Sequence, residues 1–166
     1  SDKTTTTAVD ESGNTNTHAN STSVKVGDDT STMGHTYRRT ETDSDGNSNT
    51  RGASVSAGDD YLNLSGERST TTVDDRGTTS RSDVSGGIKL DGGAKTVRVD
   101  GAYETTETDA AGRTTSSSLR GNVSLNEDGE PGTVGISRST SEATAAGTRS
   151  RNNQIDDDLQ NDTIRM

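Results

Sequence analysis

Apolar residues in this chain come in short alternating pairs. Val24/Val26, Val55/Ala57, Ile88/Leu90 and Val123/Leu125 each lead into a break rich in Asp, Gly and Asn. Leu62/Leu64, Val97/Val99 and Val134/Ile136 each follow one. A spacing of two places both members of a pair on one face of a strand. Helix competes poorly, because Thr, Ser, Gly, Asn and Asp fill the positions between, and all are weak helix formers. The breaks stand at Gly27-Asp28-Asp29, Gly58-Asp59-Asp60, Asp91-Gly92-Gly93, Asn126-Glu127-Asp128-Gly129 and Asp156-Asp157-Asp158.

Roughly midway between them runs a second series of turns: Asp10-Glu11-Ser12-Gly13, Asp43-Ser44-Asp45-Gly46, Asp74-Asp75-Arg76-Gly77, Asp109-Ala110-Ala111-Gly112 and Thr144-Ala145-Ala146-Gly147. Asp at the first position and Gly at the last suit a type I turn closed by a residue of positive φ. Their glycines recur every ~31–35 residues, a period that marks a repeat architecture. The pattern predicts an all-β, antiparallel up-and-down meander of five ~33-residue hairpin repeats, with about ten strands of ~10–14 residues. The repeats run approximately 10–42, 43–73, 74–108 and 109–143, with 144–166 completed by 1–9.

That last repeat is divided. Ser1–Val9 resembles the second half of a strand, like Glu104–Thr108, and residues 162–166 resemble the first half, like Thr96–Val99. Read in series, TIRM followed by SDKTTTTAVD aligns without a gap on Thr96–Asp109, TVRVDGAYETTETD. Two arrangements satisfy this. The half-strands lie end to end in a closed barrel, or the sheet continues between subunits; both remove free strand edges. Strand complementation would then run through Thr4, Thr6 and Ala8 on one half and Thr163, Ile164 and Met166 on the other.

Alternation assigns the faces. One carries the aliphatic pairs, then Gly66, Gly86, Gly101 and Gly121, then Tyr37, Tyr103, Thr70, Thr105 and Ser117. Arg51, Arg68, Arg138 and Arg151 share its parity, with His18 and Asn20. A lumen lined by these arginines would suit a small anionic or sugar ligand. The opposite face holds Glu67, Lys89, Arg98, Asp100, Glu104 and Arg120, as a solvated face should.

Composition narrows the function. Apolar residues are only 22% of 166, with no Phe, Trp or Cys, so any core must be thin. A net charge of -10 disfavours nucleic acid and anionic membrane surfaces as partners. Neither face offers the ~25 Å apolar band of a membrane barrel, so membrane insertion is not expected. A Thr/Ser/Gly/Asp-rich, Lys-poor, acidic composition points to an extracellular or cell-surface protein of bacterial type. His18 and His35 have no metal-spaced partner, no phosphate loop occurs, and no catalytic constellation stands out, so no enzyme activity is expected. Asp43 and Asp45, with Asp156 and Asp158, are the best candidates for Ca²⁺, a cation that takes carboxylate oxygens. Asp is also a good turn residue without any metal. The function these features suit is a secreted structural subunit that self-assembles head to tail into a fibre or matrix. A soluble or porin-like barrel with an arginine-lined lumen is the alternative.

Overall fold

The computed structural model describes residues 1–26, 31–144, 147–158 and 163–165. They form one antiparallel sheet whose strands follow in sequence order: β1 Asp2–Val9, β2 Thr15–Val26, β3 Ser31–Thr42, β4 Ser48–Gly58, β5 Tyr61–Val73, β6 Thr79–Asp91, β7 Thr96–Thr108, β8 Thr114–Leu125, β9 Pro131–Thr144, β10 Gly147–Asp158 and β11 Thr163–Arg165. Nine are long; β1 and β11 are partial, as the divided repeat requires. The up-and-down meander is thus as the alternation and turns indicate. The sheet is open: β1 pairs only with β2, and β11 only with β10.

The Asp-x-x-Gly turns explain the connections at one rim. At Asp43, Gly46 donates its N–H to the Asp43 carbonyl at 3.2 Å, and Asp43 donates to Asn47 at 2.9 Å. Gly46 sits at φ 88°, a left-handed value cheap only for glycine. The same pair of backbone bonds closes the turns at Asp10, Asp74 and Asp109. It is a type I turn followed by a glycine bulge, a common way to join strands without splaying them.

Three turns depart from the sequence expectation. Asn126–Gly129, at the opposite rim, uses this same chemistry, with Gly129 at φ 77°, because Asn caps the turn as Asp does. Thr144 pairs directly with Gly147, so that connection has only two residues between the strands, unlike its four supposed siblings. Asp156–Asp158 is not a turn but the end of β10, opposite Gly135, Val134 and Thr133 of β9. Acidic residues are usual turn formers, yet here cross-strand pairing carries the strand through all three. Of the turn at Gly27-Asp28-Asp29, residues 27–29 lie outside the described residues.

The thin core that the composition allows does not form on the aliphatic face. No apolar side chain among the described residues is buried. Val24 is 62% exposed, Ile88 42% and Leu90 38%. A single layer of sheet has nothing to press its apolar rows against, so alternation puts them on one face without burying them. The chain exposes 11577 Å², whereas a compact monomer of this mass exposes about 7,800 Å².

Glycines here divide into two classes with different expected costs. A Cβ at Gly112 would meet no atom within 4 Å, but φ is +80°. Gly112→Ala should therefore cost about 1–2 kcal/mol from backbone strain alone. Gly66 has no left-handed φ, and its Cβ would meet only the Gly52 carbonyl oxygen at 3.8 Å. Gly66→Ala should leave stability unchanged or raise it by up to ~1 kcal/mol. Urea denaturation midpoints of the two variants test the distinction.

Candidate functional site

Because the strands run straight across the sheet in register, residues of one parity form continuous rows on each face. On the aliphatic face one row reads His35, Val55, Leu64, Ile88, Val99, Val123 and Val134 from β3 to β9. The next row reads Tyr37, Ala53, Gly66, Gly86, Gly101 and Gly121 from β3 to β8. The third reads His18, Arg39, Arg51, Arg68, Val84, Tyr103, Leu119 and Arg138 from β2 to β9. Four glycines in direct register leave a furrow, walled by aliphatic side chains on one side and by the third row on the other.

The third row gathers the cationic candidates unevenly. Arg51 stands directly opposite Arg68. Arg138 shares the row but lies five strands from Arg51, and Arg151 lies opposite Thr140, two residues along the strand from the row. Arg39, which the sequence reading passed over, stands directly opposite Arg51. The signal for it was present: Tyr37 was placed on this face, and Arg39 follows by two. Three guanidinium groups thus occupy adjacent strands, ~4.8 Å apart at the backbone.

Their environment supplies little counter-charge. Arg39 pairs with Glu41 on its own strand. Among the described residues, Arg51 and Arg68 make no ion pair or hydrogen bond. The opposite face behaves differently. There Arg38 pairs with Glu67 across β4, over Gly52, and Arg120 pairs with Glu104 at 3.7 Å. A Cβ at position 52 would approach Glu67 Oε1 to 2.8 Å, so the glycine is what lets that pair span the strand. His18 and Tyr37 adjoin the ladder, with Tyr37 Oη 3.4 Å from His18 Nδ1 and the rings tilted at 48°.

A second feature marks the same corner. Three polar side-chain atoms are shielded from solvent without a partner: Asn16 Oδ1, Arg39 Nε and Asn49 Oδ1. All three residues lie on this face, where Asn16 and Asn49 flank Glu41 in register. Unmet hydrogen-bonding capacity of this kind costs stability and calls for an explanation.

The candidate calcium ligands are placed otherwise. Asp43 Oδ1 accepts from the N–H of Asp45 at 3.0 Å and of Asn47 at 2.8 Å, while Oδ2 accepts from Asn47 Nδ2 at 2.9 Å. The carboxylate is thereby a cap within its own turn, and Asp45 contributes its backbone to it. Asp156 and Asp158 are strand residues far along the chain, opposite Arg165 and Thr163. Among the described residues no three acidic or histidine side chains gather closely enough to hold a metal ion.

The strand-complementation residues occupy the two free edges. Thr4, Thr6 and Ala8 stand opposite Asn20, His18 and Asn16, on the face of the arginine row. Thr163 and Ile164 stand opposite Asp158 and Asp157. Met166 lies outside the described residues. The two half-strands do not meet within one chain, since they sit at opposite ends of the sheet.

The capped turns predict a pH response. The side-chain amide of Asn47 holds the Asp43 carboxyl below its ordinary value of 3.8, Asn14 does so for Asp10, and the backbone N–H of Arg113 for Asp109. A depressed carboxyl stabilises the fold above 3.8, and that contribution is lost as pH falls through the lower folded values. The thermal midpoint should thus be level at neutral pH and drop below pH ~4. Replacing Asp10, Asp43 and Asp109 together by Asn should flatten that acid limb in a melting series. A limb as steep as before would show that other carboxylates cause it.

No protein-family model, curated protein or solved structure matches the chain, which leaves this geometry as the ground for its function.

Proposed function

We propose that the protein is a structural subunit, extracellular in setting, that assembles with copies of itself by continuing its sheet from one chain to the next. The observation that carries the proposal is the shape of the two free edges. Among the described residues, β11 covers only Asp156–Asp158 of β10, leaving residues 147–154 open. β1 covers only Thr15–Thr22 of β2, leaving Ser23–Val26 open. The gaps are complementary: β1 of one copy fits the notch beside β10 of another, while β11 extends toward the open part of that copy's β2. Both half-strands run in the same direction, so together they make one strand between β10 and the neighbouring β2.

Free edges with unpaired backbone groups are a liability that natural sheets cover or blunt. Backbone pairing also suits a composition too poor in large apolar residues to build a conventional interface.

Continuing the observed β10–β11 register through the composite strand puts Thr4 opposite Arg151, both on the same face. Thr4→Cys and Arg151→Cys therefore give a direct test. An equimolar mixture of the two single variants should form a disulfide-linked dimer under mild oxidation, and the double variant should form a ladder of multimers. A double variant that yields only a cross-linked monomer, with no heterodimer from the mixture, would show that the sheet closes on itself as a barrel. Deletion of residues 1–9 should abolish assembly, read by size-exclusion chromatography and negative-stain microscopy.

A further inference from the structure

Like charges directly opposite on neighbouring strands are destabilising. Arg39, Arg51 and Arg68 form two such pairs in sequence across β3, β4 and β5. The chain carries 27 acidic residues against 17 Lys and Arg, so carboxylates to interleave with them are not scarce. On the opposite face they are used: Glu67 reaches Arg38, and of the like-charged neighbours there, Lys89 opposite Arg98 and Asp83 opposite Glu104, three have an ion-pair partner in Asp91, Arg81 and Arg120. On this face Glu41 neutralises one guanidinium of three. An arrangement that costs stability, beside a cluster of unsatisfied polar atoms, fits a ligand that supplies what the protein withholds.

We propose that the ladder Arg39–Arg51–Arg68 binds a linear acidic polysaccharide lying across the strands. The guanidinium groups are spaced one per strand and extend over about 10 Å, more than one sulfate or phosphate can span. Each presents a planar fork that takes a carboxylate or sulfate through two parallel hydrogen bonds. The furrow of Gly66, Gly86, Gly101 and Gly121 begins beside Arg68, one row away, and runs on across β5–β8, so an extended chain that leaves the ladder has room to lie against the sheet. These glycines do not owe their place to steric demand at Gly66, Gly101 and Gly121, where a Cβ would meet nothing closer than 3.8 Å.

The neighbouring chemistry favours a sugar over a nucleic acid. Asn16 Oδ1, Asn49 Oδ1 and Arg39 Nε have no partner; turned outward, the two oxygens would accept from sugar hydroxyls and Nε would donate to a hydroxyl or an anionic oxygen. A DNA backbone offers no hydroxyl to the two oxygen acceptors, whereas each sugar of a uronate chain does. The site lies in the middle of one sheet half, on β3–β5. It therefore does not depend on how the free edges are satisfied, and failure of assembly would leave it intact.

Affinity electrophoresis tests the proposal with the full chain and polygalacturonate in the gel. The wild-type protein should be retarded, and the retardation should weaken with added salt, since the contacts are exposed charges. Arg51→Gln/Arg68→Gln should bind at least about tenfold more weakly, while Arg120→Gln, on the opposite face, should bind as wild type. Unliganded Arg51→Gln/Arg68→Gln should melt no lower than wild type, because a like-charge pair has been removed. That separates a lost site from a damaged fold. Equal retardation of wild type and the double variant would overturn the proposal. So would equal retardation in neutral dextran, tighter binding of an oligothymidylate, or full competition by inorganic sulfate at the same molar charge.

Discussion

Cross-strand backbone pairing is the interaction on which everything else in this molecule depends. In most domains the ladder of hydrogen bonds follows from burial: a strand lies where its apolar face finds a core. Here no apolar side chain among the described residues is buried, yet nine long strands hold register, with one shift between Val123 and Leu125 of β8. The register is set locally. Each Asp-x-x-Gly turn is tied by two backbone bonds and by its own carboxylate, and the turns are tied to one another. Asn14 Oδ1 accepts from Ser44 N–H at 3.1 Å, and Asn47 Oδ1 accepts from Val73 N–H at 2.8 Å. Between the rims, matched hydroxyls add cross-strand bonds, as between Thr40 and Thr50 at 3.0 Å and between Ser118 and Ser139 at 2.7 Å. Such bonds are each worth only ~1 kcal/mol or less, but they recur along most hairpins.

The same constraint explains where the charges stand. A sheet without a core has no inside, so nothing in the fold itself requires its two faces to differ. They differ nonetheless. The opposite face sets acid within reach of base, as Arg38 with Glu67, Lys89 with Asp91 and Arg81 with Asp83, even where Lys89 stands opposite Arg98 and Asp83 opposite Glu104. The aliphatic face orders its residues by rows: apolar, then glycine over β5–β8, then a row that is cationic over β3–β5, then a polar row that includes Glu41. Much of the acidic excess resides at the rims, in turns such as Asp43–Gly46 and Asp74–Gly77, where the carboxylates cap backbone N–H groups. Sorting of this kind, over three adjacent strands for the arginines and four for the glycines, is a pattern of surface chemistry rather than of packing.

Much of this was readable from the chain because its determinants are local. Period-two alternation puts Val97 and Val99 on one face whatever lies beyond them. The glycine of an Asp-x-x-Gly segment answers to a φ that Gly46 and Gly112 show. What was not readable depends on partners outside the local window. The run Asp156–Asp158 has the composition of a turn, and only pairing with Thr133–Gly135 makes it strand. Asn126–Gly129 was placed in the other class of turn, because its position in the repeat was weighed above its chemistry. The arginine ladder needs the lengths of two successive connections, Asp43–Asn47 and Asp59–Asp60, before Arg39, Arg51 and Arg68 can be seen to align. Whether Leu64 and Ile88 are covered is a question about a second layer, and alternation within one layer does not contain the answer.

The edges and the faces make opposite demands on solubility. A free edge of eight strand residues in β1 and an open stretch of eight in β10 would recruit any extended chain, which is the route to uncontrolled aggregation. The notched outline limits that recruitment. A partner strand must end where β11 begins, so a flat generic strand would collide with β11 or leave part of β10 unpaired. The half-strand geometry thus works as selection by length as well as by hydrogen bonding. Acidic rims add a second filter, since stacking two copies rim to rim would bring Asp-rich turns together. In the assembly proposed above, growth would then be confined to one direction, along the row axis of the sheet. Along that axis the glycine furrow and the arginine row would recur from copy to copy, so an assembled sheet would present them as a repeated track.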